Sequence, residues 1–394
     1  MNGREKPIFF SLGVGLRAAR VVLGASVQFR LFRSSRSPVL LDFGSSSLKL
    51  LQLDLGEQPR ARAVAELACP EELLGSALDA RVESFVAALP AVLRAHGFKG
   101  RRAVVSPFSQ HTLVHHLTLG ASESERSAEA AAAKLAAMIG CDASALIVRT
   151  IPVHEFTRDG ALWHEIIAIA MGKRDAMRYV DACRRAGLDV VGMHAGIAAL
   201  PLAFAGADAL PCAEHGATMY VDIGYGGTKV VIAEGDRIEF AKSIAVAGRS
   251  LDRRIATARG ALVGEARLER MTAGFGAWRA GGRDAVARGE APCAVARAAN
   301  DTVDALAEEL SMCVRYHAAM FGEHAVSEVV FTGGEARDRD LCHALAESLH
   351  LPAKSGDPLA ALVVSGAPHG LPEPHAPHPA WAVACGLARA PLDL

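Results

Sequence analysis

The sequence predicts an α/β protein of two duplicated lobes with a small inserted αβ subdomain in the first lobe. Three observations carry that expectation. The first is the stretch Leu40-Leu41-Asp42-Phe43-Gly44-Ser45-Ser46-Ser47-Leu48-Lys49-Leu50-Leu51, in which an apolar run ends in Asp-x-Gly, small hydroxyl residues follow, and a second apolar run begins. That is the pattern of strand, tight turn, strand. The second is its return in the other half of the chain as Tyr220-Val221-Asp222-Ile223-Gly224-Tyr225-Gly226-Gly227-Thr228-Lys229-Val230-Val231, with Asp, Gly and Lys at the same offsets. One equivalent hairpin per half indicates an internal repeat. The third is the segment 108–192, which reads strand, helix, strand, strand, helix, strand and forms a separable unit inside the first half.

The elements follow in order. Residues 1–38 hold Arg4, Lys6, Arg17, Arg20, Arg30, Arg33 and Arg36 against the single acid Glu5, and no apolar run there approaches the ~20 residues that span a bilayer. They read as a flexible basic extension; the other reading is an arm lying on an anionic membrane surface. The first lobe opens at 39–107 with the hairpin, a third strand from Arg60 to Leu67, a helix from Leu78 to Ala95 stopped at His96-Gly97, and a short strand at Arg102 to Ser106. Within the insert, Thr112 to Leu119 alternates as a strand, and Ser122 to Met138 is an Ala-rich helix with acids near its start. Ala145 to Val153 and Ala161 to Ala170 form a hairpin about Arg158-Asp159-Gly160, and Lys173 to Ala186 is a helix closed by Gly187. The first lobe closes over 193–215 with a buried helix, His194 to Phe204. The second lobe, 216–390, holds the second hairpin, a third strand from Asp236 to Ala245, and helices at Ser250 to Arg259, Gly264 to Met271 and Ala291 to Met320. A strand at Glu328 to Thr332 then runs into Gly333-Gly334 and a helix, and a closing helix spans Pro379 to Ala388.

Composition narrows the function classes. A chain of 394 residues supports two or more substantial cores, and a net charge of −1 gives no global field for nucleic acid. The 8 cysteines are scattered with no Cys-x-x-Cys, which fits reduced thiols in a cytosol better than disulfides or zinc. No His-Glu-x-x-His occurs, and His115-His116 reads as strand or turn rather than a metal site.

The hairpins carry chemistry suited to phosphate and metal. Gly and Ser at a hairpin tip let backbone N–H groups face an anion without an intervening Cβ. An Asp at the strand end holds Mg²⁺ through its waters, because Mg²⁺ takes one or two carboxylates plus phosphate oxygens. One Asp-x-Gly alone is equally an ordinary β-turn; two in register, with a glycine pair after a third strand, are more specific. At Gly333-Gly334 the backbone can approach a flat ligand closely, with the following helix N-terminus facing it.

These motifs resemble the actin-like, Hsp70-like ATPase superfamily and, within it, the PilM family of type IV pilus assembly proteins, relatives of the cell-division protein FtsA. The resemblance covers roughly residues 38 to 390. Asp42 to Lys49 looks like the family's first phosphate loop, Asp222 to Lys229 like the second, and Thr332-Gly333-Gly334-Glu335-Ala336 like its adenosine motif. Asp357-Pro358-Leu359 and Ala384-Cys385-Gly386-Leu387-Ala388 are similar to later family segments, and the insert lies where PilM and FtsA carry their extra subdomain. The resemblance implies an ATP-binding, actin-like fold in which Asp42 and Asp222 face Mg²⁺ from opposite sides of a cleft. It implies that Gly44, Ser45, Ser46, Ser47, Gly224, Gly226, Gly227 and Thr228 surround the phosphates, that Lys49 adds a point charge, and that Gly333, Gly334 and Glu335 border adenine and ribose. Lys229 reads better as a solvent-facing strand lysine.

The sequence also departs from that pattern. Ala247-Gly248-Arg249-Ser250-Leu251-Asp252 stands where Gly-Gly-x-x-Leu-Thr is usual. Arg267 stands where a ribose-binding Glu is expected, Arg270 replaces a Lys, and Glu335 replaces a third glycine. The resemblance implies a cytoplasmic scaffold at the inner face of the inner membrane, at most a slow ATPase. Its partner would be the cytoplasmic tail of a PilN-like inner-membrane protein of a pilus or type II secretion-like machine. Self-association is a further possibility, and membrane contact is indirect or through residues 1–38. Two alternatives stand beside it: a nucleotide-free interaction module resembling the GspL cytoplasmic domain, and a sugar- or acetate-kinase-type phosphotransferase. The latter lacks a convincing catalytic Asp late in the first half, since Asp181 and Asp189 fall in or beside an insert helix.

Overall fold

A computed structural model describes residues 36–56, 59–205, 216–287, 293–322, 324–360, 362 and 376–391. The basic stretch 1–35 lies outside the described residues. Its last neighbours are tied to the body: Ser37 donates its N–H to Leu53 O at 2.9 Å, and Gln52 donates Nε2–H to Ser37 O at 3.1 Å.

In chain order the first lobe holds β1 (Val39–Phe43), β2 (Ser47–Asp54), β3 (Arg60–Ala68), α1 (Leu78–Ala95) and β4 (Arg102–Ser106). The insert follows as β5 (Thr112–Gly120), α2 (Ala121–Ser124), α3 (Ser127–Ile139), β6 (Leu146–Arg158) and β7 (Ala161–Gly172). The chain returns through α4 (Lys173–Arg185), β8 (Asp189–Met193) and α5 (Gly196–Phe204). The second lobe comprises β9 (Ala217–Ile223), β10 (Thr228–Glu234), β11 (Arg237–Ile244), α6 (Gly248–Arg259), α7 (Val263–Ala287), α8 (Ala294–Phe321), β12 (Val326–Thr332), α9 (Arg339–Leu349), β13 (Ala353–Ser355) and α10 (Ala382–Leu387).

The duplication is visible in the sheets. The first runs β3-β2-β1-β4-β8 and the second β11-β10-β9-β12-β13. Each has an antiparallel meander on one side and two parallel additions on the other. The strands read as near-continuous apolar runs because both faces are covered. Val39, Leu41 and Phe43 enter a core with α1 and α4, where Phe85 and Tyr179 pack edge-on against Phe43. Leu40, one residue out of phase, points to the opposite face, as period two requires. The second lobe repeats this: Met219, Val221 and Ile223 enter its own core with α6 and α8, and Tyr220 faces the other way. The two inward faces share one apolar layer with α5 and α10, so the lobes are joined by core rather than by a linker.

The insert is the three-stranded sheet β5-β7-β6, with α3 on one face through Leu119, Leu135, Ile166 and Ala168. Its other face, through Val114, Ile151, Ile167 and Ile169, joins the shared layer. The sheet does not include β8, which pairs in parallel with β4, and α4 packs on the first lobe. The span 108–192 therefore overstates the insert: a βαβ crossover of the first lobe was read as part of it, because periodicity identifies a helix and a strand but not their neighbours.

Two helices also differ from expectation. The helix expected to end at Met271 breaks close by, at Gly274 (φ 74°), and a second helical segment of α7 runs on to Ala287; the first amide after the break, that of Phe275, donates to Asp338 Oδ2 at 2.7 Å. Gly274 therefore separates two helical segments, and the amide that follows it is capped from another helix. The glycine pair at 333–334 leads into a short 3₁₀ turn, Glu335–Arg337, and α9 starts only at Arg339 behind the N-cap Asp338. The helix N-terminus is therefore displaced from the glycines.

Gly386 of α10 lies against the Ala199 backbone of α5, leaving no room for a Cβ. Gly386→Val should destabilise the protein by about 1–3 kcal/mol through overpacking. Urea denaturation measures this, and an unchanged midpoint would show that the shared layer does not depend on this close approach.

Candidate phosphate-binding cleft

Each Asp-x-Gly turn closes in the same way. Gly44 N–H donates to Ser47 O at 2.9 Å, and Gly224 N–H donates to Gly227 O at 3.1 Å. In both, a Cβ on the glycine would collide with that carbonyl, so glycine is required by close approach. Register then sets the charges. Asp42 sits opposite Lys49, and Asp222 sits opposite Lys229, on adjacent antiparallel strands. Directly opposed residues on one face of such a pair have touching side chains.

All four groups are buried or nearly so. Lys229 donates to Asp222 Oδ2 at 2.5 Å and its side chain is 17% exposed, which corrects the expectation of a solvent-facing lysine. Lys49 donates to Ser47 Oγ at 2.9 Å and lies 3.5 Å from Glu66, while Ser47 Oγ donates to Glu66 Oε1 at 2.7 Å. The lobes sense each other electrostatically. Burial pushes the Asp42 carboxyl up; Lys49 and Lys229 pull it down, and Asp222 adds an upward push. Burial disfavours charge on Lys229, but Asp222 and Asp42 outweigh it and hold its pKa above the usual lysine value.

The hairpin tips meet. Gln110 donates Nε2–H to Ser45 Oγ at 3.0 Å and to Gly226 O at 3.1 Å, bridging one loop to the other. Tyr225, at the tip of the second hairpin, is buried in the first lobe's core. Ser45 O accepts from the buried Arg81 at 3.0 Å, and Ser46 O accepts from Cys69 N–H at 2.9 Å. The Ser47 hydroxyl is engaged with Glu66, and that of Thr228 donates to Val246 O at 2.8 Å. The backbone N–H groups of the tips, with Lys49 and Lys229, are thus the better donors toward an anion. Sequence reasoning missed Gln110, Glu66, Arg81 and Tyr225. Tyr225 stands inside the second hairpin motif, where nothing local announces its burial in the opposite lobe; the other three sit in no motif, and only the fold brings them to the loops.

The glycine pair behaves differently. Gly333 (φ 94°) packs against Ile223 O and the Asp222 carboxylate, so a side chain there is excluded by the lobe's own strand. Gly334 is open. Glu335 turns inward against the Gly248 backbone and accepts from Arg270 Nη1 at 2.5 Å; Arg270 Nε also donates to the fully buried Asp252 at 2.6 Å. Burial works against the Arg270 charge, but Glu335 and Asp252 raise its pKa above the ordinary arginine value. Arg267 stacks over the Tyr225 ring at 4.4 Å and lies 3.9 Å from Glu71, with Nε and Nη1 buried and lacking hydrogen-bond partners.

A fit test separates two halves. Paired carboxylates, tight glycine turns and two lysines suit phosphates with Mg²⁺. On the nucleoside side, the space against Gly248 is filled by the Glu335–Arg270–Asp252 cluster, and Arg267 offers no acceptor to a sugar hydroxyl.

A pH-dependent test follows from Asp42. Its folded pKa lies above the ordinary 3.8, so the native state binds the proton more tightly than the unfolded chain. Stability from this group therefore falls as pH rises through the interval between those values, and the charged form is a burden at neutral pH. Asp42→Asn should raise the urea midpoint at pH 7, with the gain shrinking as pH falls toward the ordinary carboxylate value. A lower midpoint at pH 7 would show that the carboxylate stabilises the fold instead.

No family model matches the chain, and no curated protein matches it in sequence. Among solved structures, a chain of a PilM–PilN type IV pilus biogenesis complex matches over 89% of this chain and 97% of its own, at TM-score 0.69 and 19% identity. The ethanolamine utilization protein EutJ from Carboxydothermus hydrogenoformans matches over 91% and 90%, at TM-score 0.48 and 14% identity. The cytoplasmic domain of EpsL, an inner-membrane component of the type II secretion system of Vibrio cholerae, matches over 55% and 74%, at TM-score 0.34 and 11% identity. With its duplicated sheets and its insert, the chain has the actin-like fold in the form present in the PilM–PilN complex.

Proposed function

We propose that the protein is a PilM-like scaffold of a type IV pilus or type II secretion-like assembly machine, and that its inter-lobe cleft holds the phosphates of ATP with Mg²⁺. The observation that carries the reading is the facing of Asp42 and Asp222, each on a glycine-closed hairpin and each opposite a lysine. Asp42 and Asp222 would hold Mg²⁺ through its waters. Gly44 and Gly224 would hold the two turns closed, and the N–H groups of Ser45, Ser46, Gly226 and Gly227, together with Lys49, would donate to phosphate oxygens. Gln110, lying between both loops, is the side chain placed to orient a water, and turnover would be slow at most. The partner would be the short cytoplasmic tail of a PilN-like inner-membrane protein, which places the scaffold at the inner face of that membrane. No described helix is long and apolar enough to cross a membrane.

A second reading, a nucleotide-free interaction module, is favoured by one observation: Glu335, Arg270 and Asp252 fill the space against Gly248 with a buried ion-paired cluster. Breaking such a cluster by removing one partner costs about 3–5 kcal/mol, so it is not displaced cheaply.

Calorimetric titration with ATP and Mg²⁺, of the wild type and of Asp42→Ala, separates the readings. Saturable binding that Asp42→Ala abolishes supports the nucleotide-holding scaffold. Absence of binding to the wild type overturns it and leaves the fold as a docking platform.

A further inference from the structure

A cavity of about 310 Å³ lies beside the glycine pair, between the 3₁₀ turn, the start of α9 and the segment leading into α10. We propose that it is a binding site for a phosphate-bearing anion, separate from the Asp42 cradle. It borders the cleft discussed above but needs neither Asp42 nor Asp222 to hold a phosphate.

The lining carries the inference. Arg337, Arg339, His378 and Ser355 supply its polar groups, Pro377 and Pro379 stiffen one wall, and no carboxylate lines it among the described residues. Arg339 has no ion or hydrogen-bond partner among the described residues, a solvated charge left available to a ligand. Among the described residues Arg337 reaches only Glu66, at 3.5 Å across the lobes. His378 is 7% exposed, and its Nε2 is buried without a hydrogen-bond partner. A buried polar atom in that condition costs free energy unless a ligand or water satisfies it.

The neighbouring acids are already committed. The Asp357 carboxylate accepts from His378 N–H at 3.2 Å. Asp338 accepts from Leu341 and Phe275 N–H groups at the start of α9, so the α9 N-terminus is capped and the cavity's attraction rests on its side chains. The segment is fixed in place, because Gly333 N–H donates to Pro379 O at 2.9 Å. The volume lies at the lower end of small-molecule sites, enough for an oligophosphate. Arginine forks suit phosphate oxygens in pairs.

The test is calorimetry of the full chain with sodium pyrophosphate in the absence of Mg²⁺. Wild type, Arg339→Gln, His378→Gln and Asp42→Ala are compared, with circular dichroism confirming the fold of each. The proposal expects saturable binding that weakens about tenfold in Arg339→Gln, the scale of one lost charge-assisted hydrogen bond. His378→Gln should weaken it as well, and Asp42→Ala should leave it unchanged. Competition by Mg²⁺-free ATP would identify a nucleotide's phosphates as the occupant, and lack of competition a free oligophosphate; both support the site. Absence of pyrophosphate binding, binding that both cavity variants leave intact, or binding abolished by Asp42→Ala would overturn it. Loss of Mg²⁺–ATP binding in Asp42→Ala bears only on the cradle, so the two proposals fail separately.

Discussion

Asp42 and Asp222 are like charges held near each other under burial, and much of the structure serves to make that tolerable. Two carboxylates out of water repel and resist ionisation unless cations accompany them. The duplication supplies the cations automatically: the residue opposite each Asp across its hairpin is a lysine. Lys229 is spent on Asp222, and Lys49 is shared with Ser47 and Glu66, which leaves Asp42 as the carboxylate whose protonation burial favours. A hydrated divalent cation between the loops would satisfy the same charges. The tips hold their mutual position through Gln110, and through Tyr225 buried in the opposite lobe. The cleft is a closed joint, and a ligand entering it has to move these contacts.

The side of the cleft against Gly248 follows a different logic. Glu335, Arg270 and Asp252 form a buried cluster in which one guanidinium serves two carboxylates, with Asp252 Oδ2 and Arg270 Nη2 left without hydrogen-bond partners, and Arg267 covers Tyr225 rather than offering an acceptor. The phosphate half keeps the local chemistry of a nucleotide site while the adjacent half is occupied by the chain's own side chains. A scaffold whose shape matters more than its turnover is consistent with both halves.

Much of the fold was legible because it is written in short-range signals. Asp-x-Gly between two apolar runs specifies a hairpin, and its repetition specified two lobes before any contact was known. What escaped was long-range. That β8 pairs with β4, and so belongs to the lobe rather than the insert, depends on a partner more than 80 positions away. The helix expected to end at Met271 does break nearby, at Gly274, but the cap that Asp338 gives to the next amide comes from 63 positions away. At the site, glycines and aspartates announced themselves, but Gln110 and Glu66 carry no local pattern, and Tyr225, though inside the second motif, gives no local sign that it is buried in the other lobe. Lys229 was misread because a strand lysine looks exposed until its cross-strand carboxylate is known to be buried.

The central claim is that the two hairpin tips act as one cradle. Hydrogen–deuterium exchange of the full chain, with and without ATP and Mg²⁺, tests it most directly. The account expects amides of residues 44–49 and 224–229 to slow together on ligand addition. Slowing in one hairpin alone, or in neither at saturating ligand, would contradict it.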